Sequence, residues 1–180
     1  MTKRPVVVAT RHFPEAVEAR LQSLFDSRLN PEDHALSHDE VIARCQGADG
    51  LLVAATGKVD ADLIGRLPAS VRIIATFSVG YEHIDVAAAD RRGILVSNTP
   101  DVLTDATAEI ALLLMLAAAR RAHEGAEMLR QDRWKGWTPT QLMGIGLTGK
   151  QLGIVGMGRI GQAMAARARA CGMEIHYYNR

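Results

Sequence analysis

Three glycines, Gly156, Gly158 and Gly161, follow an apolar run at 152–155 and stand at the spacing G-x-G-x-x-G. The chemistry such a turn serves is the seating of a pyrophosphate. Gly156 allows the tight turn, Gly158 lets a phosphate approach the main chain, and Gly161 lets the following helix pack closely on the strand. Arg159 and Ile160 open that helix, whose first N–H groups and dipole favour phosphate charge. The spacing alone also describes an ordinary glycine-rich turn, so its surroundings decide. Residues 162–170 form a good helix segment, Gly172 stands where a helix-ending glycine belongs, and Glu174–Tyr178 reads as the next strand. Strand, turn, helix and strand make half of a dinucleotide-binding fold.

The second strand ends in Asn179-Arg180. An NAD site usually places a carboxylate there to bind the ribose hydroxyls, and that carboxylate would repel a 2′-phosphate. A guanidinium instead receives a phosphate in bidentate fashion. The bland alternative is a solvated arginine at a chain end. The pair favours NADP, with NAD as the second cofactor. The sequence stops at Arg180, where such a fold is only half built.

The wider sequence must position this turn. Hydrophobic residues make up 48% of the 180, enough for a real core, and with aromatics at 4% that core is aliphatic. A net charge of +1 gives no bulk electrostatic case for nucleic acid or an anionic membrane. Cys45 and Cys171 lie far apart without metal-type spacing, so reduced cytosolic thiols and no metal site are expected. Residues 1–5 lead straight into a strand and suggest no signal peptide. The longest apolar run, 110–119, is too short to span a bilayer. A soluble, cytoplasmic protein is expected.

In chain order, Val6–Ala9 suits a buried parallel strand. Pro14 suits the first turn of a helix carrying Val17, Leu21, Leu24 and Phe25. Ser37-x-x-Glu40 is a capping-box pattern, with Gly47 as the stop. Strands are expected at 51–54, 72–76 and 94–97, and helices at 60–66 and 85–92, the second ended by Gly93. This alternation predicts a parallel sheet covered on both faces. Asn98-Thr99-Pro100 breaks the pattern, with a hinge near 97–101. A helix over 104–121, capped by Thr104 or Asp105, follows, then one over 123–133 and an irregular segment over 134–149 with both tryptophans. Two α/β units in tandem result, at 1–99 and 100–180. Ligands of such sheets bind beyond the carboxyl ends of strands, here Ser78-Val79-Gly80, Asn98-Thr99-Pro100 and the glycine turn.

Together these residues match a known family. The segments Phe77-Ser78-Val79-Gly80-Tyr81-Glu82-His83-Ile84-Asp85 and Asn98-Thr99-Pro100-Asp101-Val102-Leu103-Thr104, then Ala108-Glu109 and the glycine turn, resemble the D-specific 2-hydroxyacid dehydrogenases. Trp134, Trp137, Pro139 and the run Gly158-Arg159-Ile160-Gly161-Gln162-Ala163 are most similar to its glyoxylate/hydroxypyruvate reductase branch. The resemblance covers nearly the whole chain. It implies a flavodoxin-like substrate domain over 1–99, then the N-terminal part of a Rossmann domain with a dimer-forming arm. The substrate would be a small 2-keto or 2-hydroxy acid whose carboxylate meets the N–H groups of Val79 and Gly80. Thr104 would contact the cofactor near its nicotinamide half, and Arg159 and Ile160 would lie beside the pyrophosphate. A homodimer is implied.

One departure bears on chemistry. The family's catalytic arginine, and its histidine with a supporting glutamate, follow the second Rossmann strand, beyond Arg180. No catalytic residue is therefore expected among 1–180, and this chain alone is expected to be inactive. His83 follows a strand and invites a catalytic role, but its place before Ile84-Asp85 at a helix entry favours a structural one. His12, His34, His38, His123 and His176 read as surface or packing residues. Two other classes remain: a non-catalytic dinucleotide-binding regulatory module on the same fold, and an interaction protein using helix 104–121 for assembly. An intact Val79-Gly80 loop argues against a pure sensor.

Overall fold

The apolar run Val6–Ala9 is strand β1, paired in parallel with β2 (Asp26–Arg28) on one side and β3 (Gly50–Ala54) on the other. The computed structural model describes residues 3–179 and divides between Val102 and Leu103 into two units. In the first, β4 (Ile73–Phe77) and β5 (Leu95–Ser97) complete a wholly parallel sheet of order β2–β1–β3–β4–β5. That is the flavodoxin-like order. The register aligns Val8, Leu51 and Ile74 across three strands, and each is at most 1% exposed. Burying such side chains contributes about 1.5–3 kcal/mol apiece.

Their cover comes from Val41 of α2 (His38–Arg44), Leu63 and Ile64 of α3 (Ala61–Arg66), and Ala88 and Ala89 of α4 (Val86–Arg91). Each helix starts on a side-chain cap. Ser37 and Glu40 form the expected capping box, while Asp60 and Asp85 accept from the N–H groups of Leu63 and Ala88.

The opposite face departs from the expected two-sided cover. Val7, Leu52, Ile73, Ala75 and Leu95 line a hollow of about 610 Å³, and Leu95 is 69% exposed. Handedness explains it. A right-handed crossover sets its helix on a face fixed by the direction in which the chain moves across the sheet. From β1 to β2 the chain moves one way; from β2 through β3 and β4 to β5 it moves the other. Among the described residues of this unit, three helices therefore share one face, and the ten-residue α1 (Glu15–Leu24) is the one on the other. Pro14 is the N-cap of α1 rather than part of its first turn, and the helix buries none of its residues.

The second unit holds α5 (Thr104–Ala119), α6 (Ala122–Arg130), β6 (Gln151–Val155), α7 (Arg159–Ala170) and β7 (Glu174–Tyr178). β6 and β7 pair in parallel, Leu152 opposite Ile175. A small core joins Ala108 of α5 to Met164 and Ala168 of α7 and to Met173. The N-cap of α5 is Leu103, not Thr104 or Asp105. Asp105 is drawn instead to Arg167 of α7, 2.9 Å away, which Glu109 also approaches at 3.4 Å. Both tryptophans lie in the irregular segment after α6, as expected. Among the described residues no helix is long and apolar enough to cross a membrane.

Candidate functional site

The glycine turn joins β6 to α7 in the second unit. Gly156 has φ +97°, a conformation that side chains strongly disfavour, and its N–H donates to the Tyr178 carbonyl at 2.8 Å. The end of β6 is thereby stitched to the end of β7. Gly158 is the N-cap of α7, extended, with open space where a side chain would stand and no side chain capping the helix. Gly161 lies so close to the Gly156 carbonyl that a methyl group there would overlap the oxygen. Asn179 follows β7, and its Oδ1 accepts the Met157 N–H at 3.3 Å. The structure thus gathers Gly156, Gly158, Arg159, Ile160, Gly161 and Asn179 at one edge. Arg180 lies outside the described residues. Thr104 is set apart from the turn: the adjacent Asp105 pairs with Arg167, roughly two turns along α7 from Arg159.

In the first unit the candidate substrate loop leaves β4 at Phe77. Asn98 Nδ2 donates to the Val79 carbonyl at 2.8 Å, and the Thr99 N–H donates to the Ser78 carbonyl at 3.0 Å. Ser78 Oγ donates to the Gly80 carbonyl at 2.7 Å and lies 2.6 Å from Thr76 Oγ1. Thr76, 2% exposed, also lies 3.0 Å from His83 Nε2. His83 is therefore part of the loop's scaffold, and its carbonyl accepts the Val59 N–H at 2.8 Å. Thr76 escaped the sequence reading. Its signal was a hydroxyl on an otherwise apolar buried strand.

A second polar cluster beyond β1 also went unread. Arg11 makes two bonds to Asp33, at 2.6 and 2.8 Å, and a third to Thr56 at 2.6 Å. The guanidinium holds the Asp33 carboxyl well below the usual carboxylate range, and the His12 N–H assists. Arg11 thereby ties together the loops after β1, β2 and β3.

Comparison with known proteins gives a consistent picture. A family model described as D-isomer specific 2-hydroxyacid dehydrogenase, catalytic domain, matches residues 7–175. The glyoxylate reductase of Thermococcus litoralis is 43% identical over 181 residues, a match covering 98% of this chain and 54% of that protein. A crystal structure from Polaromonas sp. JS6 66, described as a D-isomer specific 2-hydroxyacid dehydrogenase, NAD-binding, superposes with TM-score 0.91 at 50% identity. It covers 99% of this chain and 56% of its own. The NADPH-dependent glyoxylate/hydroxypyruvate reductase of Sinorhizobium meliloti, in complex with NADP and malonate, superposes with TM-score 0.84 at 35% identity. That match covers 99% of this chain and 54% of the other. The chain spans about half the length of the curated relatives it matches.

Proposed function

The chain belongs to the D-isomer specific 2-hydroxyacid dehydrogenases, and on that premise we propose that the protein carrying it reduces a small 2-keto acid, such as glyoxylate or hydroxypyruvate, with NADPH as preferred cofactor and NADH as second. The observation that carries the reading is the close seat of Gly161 on the Gly156 carbonyl at the mouth of an uncapped helix. That cradle fits a pyrophosphate, since the helix start offers N–H groups and a positive dipole end where no side chain intervenes. Bound there, a nicotinamide dinucleotide supplies hydride to the keto carbon.

The chain's own residues have separate tasks in this proposal. Gly156, Gly158, Arg159, Ile160 and Gly161 hold the pyrophosphate, Asn179 and Arg180 serve the choice between a 2′-phosphate and a 2′-hydroxyl, and Thr104 serves the nicotinamide half. The Val79 and Gly80 N–H groups hold the substrate carboxylate. The proton for the keto oxygen and the arginine for the carbonyl come from the remaining family length, as the resemblance implies. The unit through Val102 acts as substrate domain, and the unit from Leu103 contributes to the nucleotide domain and to a homodimer through α5. Relatives named as glyoxylate reductases and the S. meliloti complex with NADP support the substrate class and the cofactor. Two unpaired thiols, Cys45 and Cys171, support a reducing, cytoplasmic setting.

The experiment is NADPH oxidation with glyoxylate, run on the protein carrying this chain and on residues 1–180 alone. The first is expected to turn over and the second not, since removal of a general acid alone lowers rate by about 10²–10⁴. Absence of turnover with any small 2-keto acid in the longer protein overturns the reading. Ordinary enzyme rates from residues 1–180 overturn the division of labour.

A further inference from the structure

Two side-chain devices hold the loop that follows β4. Beyond the Ala75–Ser97 pair the β4–β5 ladder has ended, so the loop's peptide groups need other partners. The Ser78 carbonyl accepts from the Thr99 N–H, and the Val79 carbonyl accepts from Asn98 Nδ2. No cis peptide occurs among the described residues, and in a trans peptide the N–H points opposite to the preceding carbonyl. Two consecutive carbonyls turned toward 98–99 therefore turn the Val79 and Gly80 N–H groups away from it together. Successive main-chain donors presented in this way form a concavity for an oxyanion. Neither N–H is used in a backbone hydrogen bond among the described residues.

The next carbonyl, that of Gly80, accepts from Ser78 Oγ. A carbonyl can only accept, so this bond uses the single hydroxyl proton of Ser78. The 2.6 Å contact between Ser78 Oγ and Thr76 Oγ1 must then be bridged by the proton of Thr76. Thr76 has none left for His83 Nε2 at 3.0 Å, so the ring nitrogen is the donor. A hydrogen on Nδ1 alone would set lone pair against lone pair beside a threonine that is 2% exposed, leaving a buried acceptor contact unmade.

We infer that His83 and Asn98 are positioning residues for the carboxylate site. His83, as the Nε2–H tautomer, acts through Thr76 and Ser78 on the Gly80 carbonyl. Asn98 acts directly on the Val79 carbonyl, and together they fix the peptide planes whose N–H groups receive the substrate. The inference rests on the carboxylate reading of Val79 and Gly80 above. His83 does not reach the reacting carbon in this scheme and transfers no proton.

The test has two arms. Nitrogen NMR of histidine-labelled chain reads the tautomer directly, and a hydrogen on Nε2 of His83 is expected. Steady-state kinetics with glyoxylate and NADPH, on the protein carrying this chain, reads the consequence. T76V and H83L are each expected to raise KM for glyoxylate about tenfold, the scale of one net hydrogen bond. The double variant should be little worse than either, because both break one chain of bonds. H83Q keeps an N–H donor and should recover most of the loss, and N98D should raise KM by facing a carboxylate with a carbonyl. NADPH affinity should stay at the wild-type value throughout. A hydrogen on Nδ1 alone overturns the inference, as does an unchanged glyoxylate KM in T76V and H83L. A lowered Tm without a KM effect or H83Q rescue also overturns it, marking the network as merely structural. If wild type ignores glyoxylate while the tautomer and the Val79 and Gly80 amide shifts in H83L follow expectation, the carboxylate reading alone falls.

Discussion

Gly161 of α7 rests on the carbonyl of Gly156: a methyl group at 161 would overlap that oxygen and stand 3.4 Å from the Ile154 side chain. The obstacle is main chain, which cannot rotate aside as a flexible side chain can. G161A should therefore push α7 off β6. Overpacking of this kind costs about 1–3 kcal/mol. Urea unfolding followed through Trp134 and Trp137, with a parallel NADPH titration, checks it. Wild-type stability together with wild-type NADPH affinity would show that the close seat is dispensable.

Cofactor preference should turn on Asn179 and Arg180. Charge-assisted hydrogen bonds contribute about 1.5–3 kcal/mol, and a tenfold preference needs roughly 1.4. R180A is expected to lower kcat/KM with NADPH at least about tenfold and leave NADH nearly unchanged. N179D keeps an oxygen for the Met157 N–H while adding repulsion against a 2′-phosphate, so it should shift preference toward NADH. Equal losses with both cofactors in R180A would assign the arginine to the fold.

The apolar outer surface of α5 predicts a two-fold partner. Ile110, Leu113 and Leu114 are 56%, 58% and 63% exposed, one stripe at helical spacing. Covering each leucine would contribute up to about 1.5–3 kcal/mol, so L114E should weaken the dimer at least about tenfold. Sedimentation equilibrium at micromolar concentration, on the protein carrying this chain, reads both. A monomeric wild type removes the dimer.

Acid should weaken the first unit. The Asp33 carboxyl is depressed in the folded state by Arg11, so its contribution is present above the unfolded-state value of about 3.9 and is lost as pH falls toward the folded one. Both partners are partly exposed, which keeps the effect modest. D33N should lower Tm at pH 7, and the gap from wild type should narrow steadily between pH 5 and pH 2. A gap that stays constant with pH means that the pair contributes nothing through its charge.

Much of this molecule was legible because its signals are local. The Ser37–Glu40 box, the place of Asp85 before α4 and the positive φ at Gly93 and Gly172 depend on residues a few positions apart, and the structure realises each. The glycine turn with its flanking strands is local too, so a single window of sequence shows it. β2 was missed for the complementary reason: Asp26-Ser27-Arg28 has no apolar pattern and is a strand only because the β1 edge offers partners.

The sequence by itself determined the family and most of the element types, and it singled out the residues proposed to hold a pyrophosphate and a carboxylate. Tertiary structure alone decided that three helices share one sheet face, because handedness acts on strand order rather than on any residue pattern. It also decided that Thr76 and His83 meet. Seven positions apart on a strand and its following loop, they become partners only when that loop folds back on the strand end. A hydrogen bond needs atoms within about 3 Å, and only the folded chain supplies that distance.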